Sequence, residues 1–414
     1  MELTKVKLSD VARVEISGVD KKSKPGQKSV RLCNFVDVYH NWAITQDMRD
    51  SFMEATASDK EIEALSIKKG QVAFTKDSET RDDIGIPTYI ADDFDDVVLG
   101  YHNALITPDE RKLNGKYLNA FMHSSYIQKY FENNASGSGQ RYTLSNDTVN
   151  SIPILLPTIK EQEKIGNLFS FIDRKIALNK KMNQKLEAMA KRLYDYWFVQ
   201  YDFPDKNGHP YKTTGGPMTY NPTLKREIPV GWDDGVLSDI ANITMGQSPD
   251  GSSYNEDGEG MIFYQGSTDF GMRFPTVRQY TTAPTRFAKK GDILMSVRAP
   301  VGAVNIANTD CCIGRGLSAL NSKLGSLSHL YFLIDVFKKT FENKNTVGTT
   351  FGSITKDELY ALPVVIPDKS VIEQFEKMAK PIFDKQMKLG EESNRLIALR
   401  DKLLPLLMNG QVEA

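Results

Sequence analysis

Residues 139–142 read Gly-Gln-Arg-Tyr and residues 349–352 read Thr-Thr-Phe-Gly, two short turns at the same point of an otherwise matching framework. The side chains of Gln140 and Arg141 can each make paired hydrogen bonds to the edge of a nucleic-acid base, and the neighbouring glycines permit close backbone approach. Lys76 and Arg81 in the first half, with Arg298 and Arg315 in the second, add cations suited to phosphate oxygens or guanine. Together with Tyr142, Thr349, Thr350 and Phe351 they make up the candidate contact residues.

Bond-making chemistry has no comparable support. There is no Asn-Pro-Pro-Tyr or Asp-Pro-Pro-Tyr methylation loop, and Asn221-Pro222-Thr223-Leu224 lacks the aromatic ring that would hold a flipped base. No G-x-x-x-x-G-K-[ST] phosphate loop occurs, since Gly137-Ser-Gly139 has neither the Lys nor the hydroxyl that hold phosphate and magnesium. Pro249-Asp250 and Pro367-Asp368 are not followed by the Glu-x-Lys spacing of a nuclease centre. His40, His102, His123, His209 and His329 are scattered, and no metal site is expected. Three cysteines, two of them adjacent (Cys311, Cys312), read as buried small hydrophobes in a reducing compartment.

The elements that must position these turns are written twice. Residues 131–157 and 341–367 align without a gap at an offset of 210, sharing Phe-Glu-Asn, an aspartate (Asp147, Asp357) and a Pro-x-x-x-Pro frame. Leu8-Ser-Asp-Val-Ala12 matches Leu237-Ser-Asp-Ile-Ala241, Lys68-Lys-Gly matches Lys289-Lys-Gly, and Glu161-Gln162 matches Glu373-Gln374. The duplicated unit, roughly 200 residues, is far longer than a solenoid repeat. Two similar domains imply two similar tasks on one extended partner.

With 414 residues, 40% hydrophobic and 25% charged, the chain can bury two cores and is too polar for a membrane protein. No apolar run approaches a membrane span and Met1–Asp10 has no apolar leader, so a cytoplasmic location is expected. A net charge of -1 argues against a simple polyanion sponge. Residues 77–96 carry eight acids against the single base Arg81 and read as a face that avoids phosphates. Residues 160–195 hold nine bases against five acids.

Each copy ends in a helical pattern. A heptad seam places Ile165, Ile172, Asn179, Leu186 and Leu193 at one position, with Leu168, Lys175, Met182, Met189 and Tyr196 three residues further on. The second seam is Phe375, Ile382, Leu389, Leu396 and Leu403, and Pro381 and Gly390 predict a break or kink near them. Short β-rich segments punctuated by turns precede each helix, giving an α+β globule followed by a long helix, twice over. The expected divisions are 1–157 and 232–368 for the domains, 158–200 and 369–414 for the helical spacers, and 201–231 for a linker without periodicity.

These residues resemble the specificity (S) subunits of type I restriction-modification systems. The likeness is carried by Arg192-Leu-Tyr-Asp-Tyr-Trp-Phe198 with Asp202-Phe-Pro204, by Ile228-Pro-Val-Gly-Trp232 leading to Leu237-Ser-Asp-Ile-Ala241 and Gly246-Gln-Ser-Pro249, and by Leu-Pro-x-x-x-Pro before the second Glu-Gln helix. The resemblance implies two target recognition domains separated by two long helices that form an antiparallel coiled coil. Each domain would read one half of a bipartite double-stranded DNA target through the candidate contact residues. The chain itself would be non-catalytic and bind no cofactor. Two methylation (M) subunits would hold S-adenosylmethionine, and restriction (R) subunits would supply ATP- and Mg-dependent cleavage. A coiled-coil scaffold, a stand-alone DNA-binding protein without a methylation partner, and a self-contained enzyme are the competing readings.

Overall fold

In the computed structural model, residues 3–138, 141–338, 341 and 352–412 are described. They divide into two compact units, Met1–Leu178 with Ser393–Ala414, and Asn179–Glu392. The long helices Ile159–Tyr194 and Lys369–Met408 start where the expected domains end, but each is shared between the units. The reason is packing: Ile165, Phe169, Leu404, Leu407 and Met408 belong to the main core of the first unit, and Ala190, Tyr194, Ile372 and Phe375 to that of the second.

Within the first unit a five-stranded sheet runs in the order Ala12–Ile16, Asn103–Pro108, Val72–Thr75, Pro87–Ile90, Ala43–Ile44. Val72–Thr75 and Pro87–Ile90 are buried at every position, so they read as apolar runs without alternation. A separate two-stranded sheet joins the chain start to the end of the domain, Lys7 opposite Pro153.

The second unit repeats the plan. Its four-stranded sheet runs Ala241–Met245, Leu317–Ser322, Ile293–Ser296, Val304–Ile306, and Val236 lies opposite Pro363 in the terminal pair. A second, five-stranded sheet runs Tyr254–Asn255, Tyr280–Thr281, Met261–Tyr264, Cys311–Ile313, Phe287–Ala288.

In both units the long helices pair antiparallel. Asn179 donates to the Glu392 carboxylate at 2.9 Å, while Gln386 donates to the Asn183 carbonyl at 3.2 Å and to Glu187 at 3.0 Å. In the first unit, Leu403, Leu404 and Leu407 pack into the core that holds Ile165, Leu168 and Phe169. Thr158 and Glu161 cap the first helix reciprocally, and Gln162, buried beside them, bonds the Lys112 and Pro157 carbonyls and the Asn114 amide. The shared Glu-Gln pair therefore starts the helix and ties it to its domain.

Three expectations are corrected. First, no break occurs at Pro381: Lys369–Met408 is one helix. Pro381 faces solvent while Ala379 and Phe383 are buried on either side, so the packed flanks hold the helix through one missing hydrogen bond. Gly390 is needed for packing, since a Cβ there would stand 2.6 Å from the Phe274 ring.

Second, the first helix uses a different companion column. Met182, Met189 and Tyr196 are exposed, whereas Phe169, Asn183, Ala190 and Trp197, four residues beyond Ile165, Asn179, Leu186 and Leu193, are buried and Ile176, four beyond Ile172, is half-buried. Of the remaining seam residues, Ile165, Ile172, Asn179, Phe375 and Leu389 are buried and Leu168, Leu186, Leu193, Ile382, Leu396 and Leu403 half-buried. Small or polar side chains at 183 and 190 allow the partner helix close, which apolar counting cannot detect.

Third, the segment 201–231 is structured. It forms a hairpin, Met218–Asn221 with Arg226–Pro229, and buries Tyr201, Phe203 and Ile228 with Trp232 in the second core. The acid-rich stretch 77–96 makes hydrogen bonds within its own unit. Asp83 accepts from the Tyr39 hydroxyl, Asp92 from the Gln46 amide, Asp93 from the Lys69 amide, and Asp96 from Arg49.

Candidate nucleic-acid interface

The two units build the same scaffold around their candidate residues. Past the strand Val72–Thr75 the chain continues through Lys76, whose amide donates to the His102 carbonyl (2.8 Å) and whose carbonyl accepts from Leu144 (3.0 Å). Past Ile293–Ser296, the Val297 amide donates to Gly316 (2.9 Å) and its carbonyl accepts from Ile354 (3.0 Å). One residue further, Asp77 lies opposite Thr143 and Arg298 opposite Ser353. This register makes Lys76 equivalent to Val297, Asp77 to Arg298, His102 to Gly316, and Tyr101 to Arg315.

In the first unit the sequence-derived residues Lys76, Arg81, Arg141 and Tyr142 meet at this point. Lys76 Nζ donates to Thr143 Oγ1 at 3.0 Å and lies 3.9 Å from Asp77. The Arg81 guanidinium stands 5.1 Å over the Tyr142 ring, and Arg141 Nη2 is 2.6 Å from His102 Nδ1. His102 Nδ1 also lies 2.5 Å from Asp77 Oδ2, at a left-handed φ of 68° that is uncommon outside glycine. Burial pushes the Asp77 carboxyl up, but hydrogen bonds from Thr143 and His102 and the Lys76 charge outweigh it and hold the group below the usual carboxylate range.

Three residues here escaped the sequence reading. Tyr101 packs against His102 with centroids 3.9 Å apart and ring planes tilted by 46°, and Lys21 Nζ lies 5.8 Å from the Tyr101 centroid. A signal existed for Tyr101 and His102: Gly100-Tyr-His against Gly314-Arg-Gly differ between matching flanks, as the turns at 139–142 and 349–352 do. Lys21 carries no such mark, because the loop holding it has no counterpart of equal length.

In the second unit Arg298 and Arg315 come together on one concavity of about 260 Å³, with Gln265, Gly266, Ser267, Thr268, Ser296 and Gly316 on its wall. Asp269 holds the rim, accepting from the Gln265 amide at 2.9 Å and from the Arg278 guanidinium. Ser296 Oγ donates to the Arg298 carbonyl at 2.7 Å. Gly316 lies so close that a Cβ on it would stand 2.6 Å from the Gln265 carbonyl oxygen. Gln140, Thr349, Thr350 and Phe351 lie outside the described residues.

Both patches offer cations and hydroxyls, and the first adds the Tyr101, His102 and Tyr142 rings. Among the described residues no cluster of His, Cys, Asp and Glu could hold a metal ion, and no helix is long and apolar enough to cross a membrane.

Comparison with known proteins agrees with this arrangement. The family described as type I restriction modification DNA specificity domain matches residues 2–188 and 229–391, one stretch in each copy. The chain is 25% identical over 315 residues to the type I restriction enzyme MjaIX specificity subunit of Methanocaldococcus jannaschii, covering 72% of this chain and 69% of that one. It is 23% identical over 404 residues to the type I restriction enzyme HindI specificity subunit of Haemophilus influenzae, covering 84% and 87%. Among solved structures, the type I restriction-modification S subunit from M. genitalium shares the fold, with a TM-score of 0.60 at 15% identity over 98% of this chain and 96% of that one.

Proposed function

The chain belongs to the type I restriction modification DNA specificity family, and we propose that each of its two domains reads one half of a bipartite double-stranded DNA target. The observation that carries this reading is the repetition of one scaffold with divergent polar groups at equivalent points: Lys76, Asp77, Tyr101, His102 and Arg141 in one copy, Arg298 and Arg315 in the other. A shared scaffold gives both domains the same way of meeting the duplex. Different side chains on it give each half-site its own sequence.

The chain acts in the cytoplasm as the non-catalytic member of a larger complex. It directs adenine methylation by two M subunits, which bind S-adenosylmethionine, and cleavage by R subunits, which use ATP and Mg. Its missing methylation, phosphate and nuclease motifs support this division of labour.

Half-exchange tests the reading. Residues 1–157 are replaced by the matching domain of a relative, and modified adenines are mapped genome-wide in cells that also make the M subunits. One half of the modified sequence changes and the other stays. A change in both halves together, or in neither, overturns the two-reader assignment.

A further inference from the structure

Equivalent positions of the two copies carry opposite charge. Asp77 and Arg298 each stand two residues beyond the sheet strand, each opposite the first residue after the candidate turn, Thr143 or Ser353. Phosphates are the same along every DNA sequence, so a position that touches the backbone should keep a positive charge in both copies. A position that faces base edges is free to change sign, because cytosine and adenine present amino donors to a carboxylate while guanine presents O6 and N7 to a guanidinium.

We propose that the concavity of the second unit is a guanine-reading site, with Arg298 and Arg315 as its specificity-determining residues. This rests on the DNA-reading function above. Both side chains are exposed, and among the described residues no carboxylate engages either guanidinium, so their donors are available to a ligand. Backbone bonds at both points hold them: the Ser296 hydroxyl donates to the Arg298 carbonyl (2.7 Å), and the Arg315 amide donates to Ser248 Oγ (3.2 Å). Gln265, Ser267 and Thr268 line the same hollow and supply hydrogen-bonding groups for the neighbouring base. In the first unit the site differs, since Asp77 is surrounded by Lys76, His102 and Arg141.

The test maps modified adenines genome-wide in cells making the full-length chain unsubstituted, or with Arg298→Ala, Arg315→Ala or Arg298→Gln, beside the M subunits. The unsubstituted chain yields a two-part motif with guanine in one half. Each alanine variant relaxes a guanine position in that half by about 5- to 150-fold, the discrimination of one bidentate pair, and leaves the other half intact. Arg298→Gln moves the preference at its position from guanine towards adenine. Melting curves of the purified variants confirm folding, and two separate arginines keep the test valid if one variant fails. An unchanged motif overturns the proposal. So does weaker modification with every position still specified and a smaller salt dependence of binding, the mark of a phosphate contact. If the unsubstituted chain yields no two-part motif, it is the specificity reading that fails.

Discussion

Phe131 lies flat against Gly85: a Cβ built on this glycine, whose φ is +82°, would stand 2.2 Å from the phenylalanine ring. The second copy repeats the contact between Phe341 and Gly302, with φ +87° and 2.4 Å. The phenylalanine of the shared Phe-Glu-Asn is thus the lid of a glycine turn. Gly85→Ala should destabilise the first unit by about 2–5 kcal/mol, combining left-handed strain with overpacking. Urea unfolding monitored by fluorescence checks this, and a loss below about 1 kcal/mol would mean that the turn relaxes freely.

Arg273 is only 4% exposed, bonded to Glu187 and Gln386 and lying 4.7 Å from the centroids of both Tyr331 and Phe383. Arg273→Ala removes the planar cation and leaves Glu187 with Gln386 but no ion-pair partner, at a cost of about 2–4 kcal/mol. Arg273→Lys should recover only part of this, because an ammonium cannot fill the slot between two rings as a guanidinium does. Full recovery by lysine in a thermal melt would contradict the stacking argument.

His329 is buried between the Tyr194 and Phe198 rings, and burial lowers its pKa from 6.5 to about 3. A folded pKa below the unfolded one favours the native state above pH 6.5. That contribution is lost as pH falls towards 3, at up to about 1.4 kcal/mol per unit. The difference in stability between the native chain and His329→Gln should shrink over this interval. A pH-independent difference would refute the assignment.

Asp173 behaves in the opposite sense. Burial raises its pKa from 3.8 to about 6 although the Arg400 charge lowers it. The unfolded chain loses this proton first, so the contribution is full below pH 3.8 and is lost as pH rises to about 6. Asp173→Asn should therefore gain stability over the native chain as pH rises through that window. Unfolding free energies at pH 4 and pH 7 decide it.

The purified chain, incubated with S-adenosylmethionine and DNA, should transfer no methyl group, and with ATP and Mg it should cut nothing. Radiolabel incorporation above background by the isolated chain would place chemistry on it that no motif explains.

Much of the architecture was legible in local pattern. The duplication and the two terminal helices could be read from the chain, and Lys76, Arg81, Arg141, Arg298 and Arg315 could be named as candidates, but their equivalent places came from strand register. Lys21 could not be named, because it is brought to Tyr101 by a contact between loops far apart in the chain, the Tyr101 amide donating to the Val19 carbonyl at 2.9 Å. Pro381 and the Met189 column were misread for a related reason. Helix propensity and residue polarity are properties of one segment, whereas a helix is kept straight, or a side chain buried, by what packs against it. Met189 is 51% exposed and its neighbour Ala190 fully buried, an inversion of their apolar sizes that only the partner helix explains.

The amino-acid sequence by itself determined that there are two copies of one domain, each followed by a helix long enough to need a partner, because periodicity and repetition are carried by the covalent order. The tertiary structure decided which face of each helix is buried and that Asp77 and Arg298 occupy equivalent places. Those relations depend on strand register and on contacts between residues far apart in the chain, whose energies no local pattern records.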